Sequence, residues 1–535
     1  MHSRTDPFAQ ALLVADGQIA WLGAEESIRN LVDQADEVVD LDGALVTPAF
    51  VDAHVHLLET GLALEGVDLS PSAGVRSLAT ALDAVALAAR EARAAGANGP
   101  LLGHGWDETG WPEGRPPTRE ELDVATGGAP VYLARADVHS AVVSSSFARV
   151  SGCIDAPGWD DSGLVTGEAH HRARTSAREV SPERRGALHR AALEAAARAG
   201  IVSVHEMSGP FLDTREGLAG LLDLTRDASS GLPLVVGFRA ELCETTDDAR
   251  LLLEAIPGLA GIGGDLSVDG SLGSRTAALR HPYADGPGTG DLKIAAEQVA
   301  NHVASVTRAG SRAAFHVIGD RAMDEVLLGF RAAVEVEGVA AVRAAGHRIE
   351  HAEMIDATAL ATMLLLGLTA SVQPAFDAQW GGPAGMYAAR LGAGRAAGLN
   401  PIADLAGAGV PLALGSDSPV TPFNPWGAVR AAIEHHEPSQ RVSARAAFRA
   451  HTRGGWRSVG MDGTGAGEIR LGAPASLAVW KVASLAVQAP EGRLSAWSTD
   501  ARAGTPLLPE LGSELPEPTC LRTVRDGVVL YDALG

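Results

Sequence analysis

Two histidines one residue apart, His54 and His56, close the apolar run VTPAFVDAHVH (46–56). On a β-strand, residues i and i+2 project from the same face, so both imidazoles can reach one metal ion. Taken alone, the pair also fits polar residues at an exposed strand end. Three later segments add donors of the same kind. AAFHVIGD carries His316 near the end of an apolar run, GHRIEHAE carries His351, and VPLALGSDSP carries Asp417. Each ends a buried-strand candidate, the edge at which parallel α/β enzymes gather their chemistry. Four imidazoles and a carboxylate suit zinc or another borderline divalent ion. Such an ion lowers the pKa of coordinated water by several units, and a nearby carboxylate can hold and pass on the proton.

The elements that must position these donors are legible in the pattern. Short β-rich runs at 130–134, 200–206, 233–242, 313–319, 346–352, 368–374 and 410–417 alternate with Ala-rich helix candidates. Those helices, at 81–97, 183–200 and 297–310, each have glycine near the end. The alternation predicts a parallel α/β fold, with enough units for an eight-stranded barrel. The stretch from about 60 to 190 breaks the beat and is rich in Trp, Pro, Gly and Asp. It reads as an insertion over the mouth of the fold that carries specificity, or as a surface elaboration. Both ends of the chain are β-rich. Residues 11–23 form a hairpin pattern about Asp16-Gly17, 37–50 a strand pair about Asp42-Gly43, and 521–533 a hairpin about Asp526-Gly527. The expected organisation is one β-rich lobe from 1–48 and 466–535, an α/β body over 49–430, and a helical return segment at 431–465.

Composition narrows the function classes. A chain of 535 residues exceeds one ordinary domain. Its formal charge of -23 argues against nucleic-acid binding and against docking on anionic membranes. Cys153, Cys243 and Cys520 show no CxxC spacing, which argues against a disulfide framework or a structural cysteine-zinc site. No secretory pattern opens the chain, and no apolar run reaches the roughly 20 residues of a membrane span. The expectation is a soluble, cytoplasmic protein with a small-molecule substrate, and symmetric association as a homodimer is common for this kind of protein. Of the 43 basic residues only Lys293 and Lys481 are lysines.

Several blocks in order, PAFVDAHVHL, GWDE, PVYLARADVHSAVVSSS, VDGSLGSRTAAL, HVIGDRAMD, RIEHAEM and GSDSPV, carry a resemblance. Over nearly its whole length the chain resembles the amidohydrolase superfamily, specifically the amidohydrolase family 3 or YtcJ-like branch. The resemblance implies an α/β fold: a distorted TIM (β/α)8 barrel with a small β-sandwich domain formed by both chain termini. It implies His54 and His56 as metal ligands on the first strand, and His316 and His351 as ligands on the fifth and sixth. It implies Asp417 as the catalytic aspartate of the eighth strand, binding metal and accepting the proton from water. One position departs from the pattern. Relatives carry Lys-x-x-x-Asp-Gly where this chain has Asp265-Leu-Ser-Val-Asp269-Gly. In those relatives the lysine is carboxylated and bridges two metals. Asp265 either serves as a metal ligand, bridging two ions through the same kind of oxygen on a shorter arm, or the site holds one metal.

Around the metal, Trp106, His139, Asp269, Arg275 and Phe376 are the substrate-contacting candidates, with Arg275 suited to a carboxylate. Asp107 and Trp380 are further wall candidates, and His205 and Glu206 end another strand that could face the mouth. The chemistry expected is hydrolysis of a carbon–nitrogen bond other than a peptide bond, by an amidase or N-acyl/N-formyl deacylase. A cyclic amidase, a deaminase or an esterase would use almost the same machinery. A non-catalytic metal-binding relative is the reading from another class, and the complete donor set stands against it. No dinucleotide fingerprint follows a suitable strand, which argues against an oxidoreductase.

Overall fold

The computed structural model describes residues 1–97, 99–488, 497–498, 506–512 and 514–534. The fold is mixed α/β. Phe50–Val55, Ile201–Ser208, Leu234–Arg239 and Gly261–Ile262 lie side by side in one parallel four-stranded sheet. Ala314–Val317, Arg348–His351, Thr369–Val372 and Leu412–Leu414 form a second. The two sheets touch at both outer edges, through single parallel bridges Ile262–Ala313 and Val55–Ser418. Nearly every residue of these strands is buried, as expected of parallel strands covered on both faces. The helix candidates appear as Leu78–Ala94, Pro182–Arg198 and Ala296–Arg308.

The stretch that breaks the alternation is a built unit. Val67–Asp68, Leu101–Trp106, Val131–Arg135, Ala141–Val143 and Leu164–Val165 form a five-stranded sheet in that order, and its last two pairings are antiparallel. The run at 130–134 therefore belongs to this sheet and not to the alternating series. Its core is its own, with Leu69, Val85, Trp106, Leu122 and Leu133 in one buried cluster. Capping boxes at Ser77/Thr80 and Thr118/Glu121 fix the starts of two of its helices.

The terminal segments meet in antiparallel pairings. Leu45–Pro48 pairs with Leu477–Lys481, which pairs with Thr519–Arg525, which turns at Asp526-Gly527 into Val528–Asp532. Ala11–Ala15 and Gln18–Gly23 form the expected hairpin. The strand pair expected at 37–50 does not form. A turn occurs at Asp42-Gly43, but the preceding acidic run is largely exposed and belongs to no strand. After Leu45–Pro48 the chain passes at Ala49 directly into the first parallel strand. Residues 489–496 and 499–505, within the C-terminal lobe expected over 466–535, lie outside the described residues. Phe50 joins the lobe to the body: its ring centroid lies 5.0 Å from Trp426, 5.4 Å from Phe448 and 5.7 Å from Trp480, all edge-on.

First and last parallel strands are laced tightly. Asp52 Oδ1 accepts the amides of Ser416 at 2.9 Å and His54 at 3.3 Å. The Asp417 amide donates to the His54 carbonyl at 2.8 Å. Gly415 sits inside this lacing, and a Cβ there would lie 2.7 Å from the His54 nitrogen. Gly415→Ala is expected to cost about 1–3 kcal/mol by overpacking, read as a lower urea midpoint. Gly407→Ala, a helical position with nothing within 4 Å of the added carbon, is expected to show no loss.

Candidate metal centre

The donors converge at the C-terminal ends of the parallel strands. His54 and His56 leave the first strand on one face, as the period of two requires. Their outward-directed nitrogens are tied down: His54 Nδ1 lies 3.0 Å from Glu350 Oε2 and His56 Nδ1 lies 3.1 Å from the Met207 carbonyl. His351 Nδ1 is 2.9 Å from Gln373 Oε1, and His316 Nε2 is 3.1 Å from the Gly270 carbonyl. The opposite nitrogens, Nε2 of His54, His56 and His351 and Nδ1 of His316, therefore face one another. Fixing one ring nitrogen is how a protein presents the other to a metal.

Asp265 stands at the middle. Its Oδ1 lies 3.5 Å from His54 Nε2, 3.6 Å from His316 Nδ1 and 3.9 Å from His351 Nε2, and its Oδ2 lies 3.3 Å from His56 Nε2. Asp417 Oδ1 lies 3.4 Å from His54 Nε2 and 3.1 Å from His56 Nε2. Three groups with chelating geometry result: His54/His56/Asp265, Asp265/His316/His351 and His54/His351/Asp417. Asp265 belongs to two of them, with different imidazole pairs.

Buried and without hydrogen-bond partners at this point are His54 Nε2, His351 Nε2, Asp265 Oδ1 and Asp417 Oδ1. An unsatisfied buried polar atom costs about 1–3 kcal/mol. Four of them aimed at one place form a donor set that fits a divalent cation. The electrostatics agree. Burial alone would raise the pKa values of Asp265 and Asp417, yet the surrounding imidazoles hold both below the ordinary carboxylate range. Burial opposes charge on His54, but Asp417, Asp265 and Glu350 outweigh it and hold its pKa well above the usual value. Only positive charge, on imidazole or on a cation, keeps the two carboxylates ionised here.

Backbone strain accompanies the cluster. His351 has φ 68° and Asp417 φ 56°, in the left-handed region that β-carbons disfavour. Glu350 and His351 are consecutive, and a regular strand would point them apart. Both nonetheless lie against His54, with the His351 ring centroid at 4.9 Å. The turned backbone at His351 brings its ring to the side that Glu350 faces.

A framework absent from the sequence reading holds His54. Arg348, wholly buried, donates to Glu350 at 2.9 Å through two nitrogens, to the Ala53 carbonyl at 2.8 Å and to His205 Nδ1 at 2.9 Å. Burial opposes Glu350 ionisation, but Arg348 and His54 bring its pKa down to about 2. The alternation Arg348-x-Glu350 on a buried strand was the available signal. His205 is spent on this framework. Glu206 accepts the Leu57 amide at 2.7 Å, so neither residue lines the cavity.

Two spaces border the cluster, a larger and a smaller, and both are lined by His139, His316, His351 and Asp417. The His139 ring lies 5.2 Å from that of His316. Burial, and the neighbouring charges of His316, Lys293 and Arg174, hold His139 well below its usual pKa, so it is neutral. Phe376 stacks on His351 at 6.1 Å and meets Trp380 at 5.0 Å in the smaller space. From the inserted unit come His139, His170, His171 and Arg174 in the larger space. That unit therefore supplies cavity wall.

Three expected contacts lie elsewhere. Trp106 is buried in the core of the inserted sheet, where its indole donates to the Leu133 carbonyl at 2.8 Å. Its neighbour Asp107 makes the link to the wall by accepting from Trp380 Nε1 at 3.2 Å. Arg275 is 43% exposed and forked onto Asp285 at 3.1 and 2.8 Å, so its charge is already matched outside the cavity. Asp269 is fully buried and accepts the amides of Ala278, Ile318 and Gly319 at 2.9, 3.1 and 2.7 Å, which makes it a loop clamp. Lys293, distant from Asp265 in sequence, instead lines the larger space.

The amidohydrolase family model matches residues 37–531. The protein LONG AFTER FAR-RED 3 of Arabidopsis thaliana is 27% identical over 489 residues, 85% of this chain and 81% of that protein. An N-substituted formamide deformylase from Arthrobacter pascens is 25% identical over 578 residues, covering 98% of this chain and 96% of its own. Among solved structures, an uncharacterized metal-dependent hydrolase from Pyrococcus furiosus is 28% identical with a TM-score of 0.65, over 88% of this chain and 94% of that one. With the match spanning almost the whole sequence and the donors gathered at one point, the chain belongs to the amidohydrolase family.

Proposed function

We propose that the protein hydrolyses a carbon–nitrogen bond other than a peptide bond in a small molecule, as an amidase or N-acyl/N-formyl deacylase. The observation that carries this is the convergence of four unpartnered buried atoms from His54, His351, Asp265 and Asp417. A similar formamide deformylase supports the bond type. The two parallel sheets, joined at both edges, are read as one distorted (β/α)8 barrel, and the terminal pairings as a small β-sandwich.

His54, His56 and Asp265 would hold one divalent ion, and Asp265, His316 and His351 a second, with Asp417 beside the first pair. Zinc suits this mixture of imidazole and carboxylate. When bound, such ions polarise a carbonyl oxygen and acidify water. Asp417 takes the proton of the attacking water on its carboxylate and passes it to the leaving nitrogen. Neutral His139 offers an N–H to the carbonyl oxygen as negative charge develops there. The inserted unit narrows access of bulk water to the bond being cut.

Screening N-acyl amines, N-formyl amines, cyclic ureides and aryl esters on fully metallated protein tests the reading; no turnover of any class, with metal present, would overturn it. For a substrate so found, Asp417→Asn is expected to lower kcat by about 10²–10⁴-fold, and undiminished turnover would remove the proton role. Elemental analysis of purified protein is expected to give two ions per chain, and Asp265→Ala one or none. One ion per chain in the parent protein would exclude the bridged arrangement.

A further inference from the structure

The smaller of the two spaces holds polar atoms that the metal centre does not use. Phe376, Trp380, Met386 and Val420 wall it, and Glu353 and Tyr387 border it too. Glu353 is 3% exposed and Tyr387 2%. Glu353 Oε2, the Tyr387 hydroxyl and Asn400 Nδ2 are all buried without a hydrogen-bond partner. The Tyr387 hydroxyl stands beside Glu353 and Asn400, but neither contact has the geometry of a formed bond. Closing the Tyr387 contact would still leave Glu353 with capacity, since two carboxyl oxygens offer about four lone-pair sites. A carboxyl group accepts at these oxygens whether or not it carries a proton.

The other acidic groups of this space are engaged. Asp137 faces Arg135 at 3.2 Å and accepts from the hydroxyls of Ser271 and Ser274 at 2.6 and 2.8 Å. Asp417 faces His54 and His56. Among the described residues no lysine or arginine lines the space, so Glu353 meets no basic side chain there. Its place is fixed. It follows His351 by two residues, and its carbonyl accepts the Asn400 amide at 2.9 Å. Tyr387 sits on the short helix Met386–Leu391, its ring 6.1 Å from that of Trp380. Buried polar atoms are normally paired, and a preplaced acceptor with spare capacity at a cavity wall is arranged to meet a donor on the ligand.

We propose that Glu353, backed by Tyr387, is a specificity residue that accepts a hydrogen bond from a hydroxyl or amino group on the part of the substrate lodged against Phe376 and Trp380. The bond to be cut then lies at His139, His316, His351 and Asp417, which border both spaces. A substrate lacking the donor leaves the buried acceptor unpaired, so selectivity comes from rejection as much as from attraction. This rests on the amide-hydrolysis reading above.

The test uses metal-loaded full-length protein and a series of primary amides: phenylacetamide, its 3- and 4-hydroxy derivatives, and 4-(aminomethyl)phenylacetamide. Calorimetry gives affinity, and ammonia release gives cleavage. At least one donor-bearing probe is expected to bind about tenfold more tightly than phenylacetamide, and the hydroxyl and aminomethyl arms tell which donor is read. Glu353→Met is expected to abolish that ratio, Tyr387→Phe to shrink it, and Glu353→Gln, which keeps an acceptor oxygen, to retain most of it. Within each variant the ratio between probes is the readout, which a general loss of stability would not move. Equal affinities across the series in the parent protein, no binding of any donor-bearing probe at millimolar concentration, or a ratio unchanged in both Glu353→Met and Tyr387→Phe would each overturn the assignment. A donor-bearing probe bound preferentially through Glu353 but never cleaved would leave the assignment standing and count against hydrolysis. Cleavage of all probes at equal rates, with equal affinities, would do the reverse.

Discussion

The structure depends on holding two carboxylates and four imidazoles within contact of one another, out of water. Unpaired ionised groups do not survive burial, because desolvation outweighs anything hydrogen bonds to neutral partners return. Asp265 and Asp417 can stay ionised only because imidazoles face them on several sides. Those imidazoles in turn are aimed by fixed acceptors: Glu350, the Met207 and Gly270 carbonyls, and Gln373. Glu350 needs Arg348, and Arg348 needs the Ala53 carbonyl and His205. The chain of dependence runs from the centre into the first, second and sixth parallel strands. It makes the metal donors inseparable from the packing of the strands that present them.

How much of this was legible in the sequence follows from the physics of each element. His54 and His56 were legible because strand periodicity alone puts them on one face. His316, His351 and Asp417 were legible as polar residues closing apolar runs. Their convergence was not, since it depends on parallel pairing between segments hundreds of residues apart and, at His351 and Asp417, on backbone turned into the left-handed region. The substitution of Asp265 for lysine was visible only beside the family pattern. Its place between two imidazole pairs was not, because that is a property of distances. Trp106 and Arg275 were misplaced for one reason: a residue type suited to a pocket says nothing about whether a nearer partner has already claimed it. The Leu133 carbonyl and Asp285 had.

The inserted unit shows the same limit from the other side. Its irregular composition read as an insertion over the mouth or a surface elaboration, and it folds as a sheet with its own core. A rigid layer can place His139, His170, His171 and Arg174 reproducibly where a mobile loop would lose conformational entropy at each binding event. The links Asp107–Trp380 and Glu108–Arg390, at 3.2 and 2.8 Å, tie this layer to the wall contributed by the α/β body. Cavity shape is therefore set by two packed units and not by one.

Net charge and local charge act over different distances. The formal charge of -23 would repel an anion approaching from afar. At physiological ionic strength the Debye length is about 8 Å, so that repulsion is largely screened at the surface. Inside the cavity few ions intervene and the effective dielectric constant is lower, so the nearest charges count most. Arg174 and Lys293 stand there together with Asp265, Asp291 and Asp417. Both signs therefore line the cavity, and the overall charge carries no information about the sign of the ligand. What overall charge does govern is the approach: it slows an anion and speeds a cation at low salt, and both effects fade as salt rises.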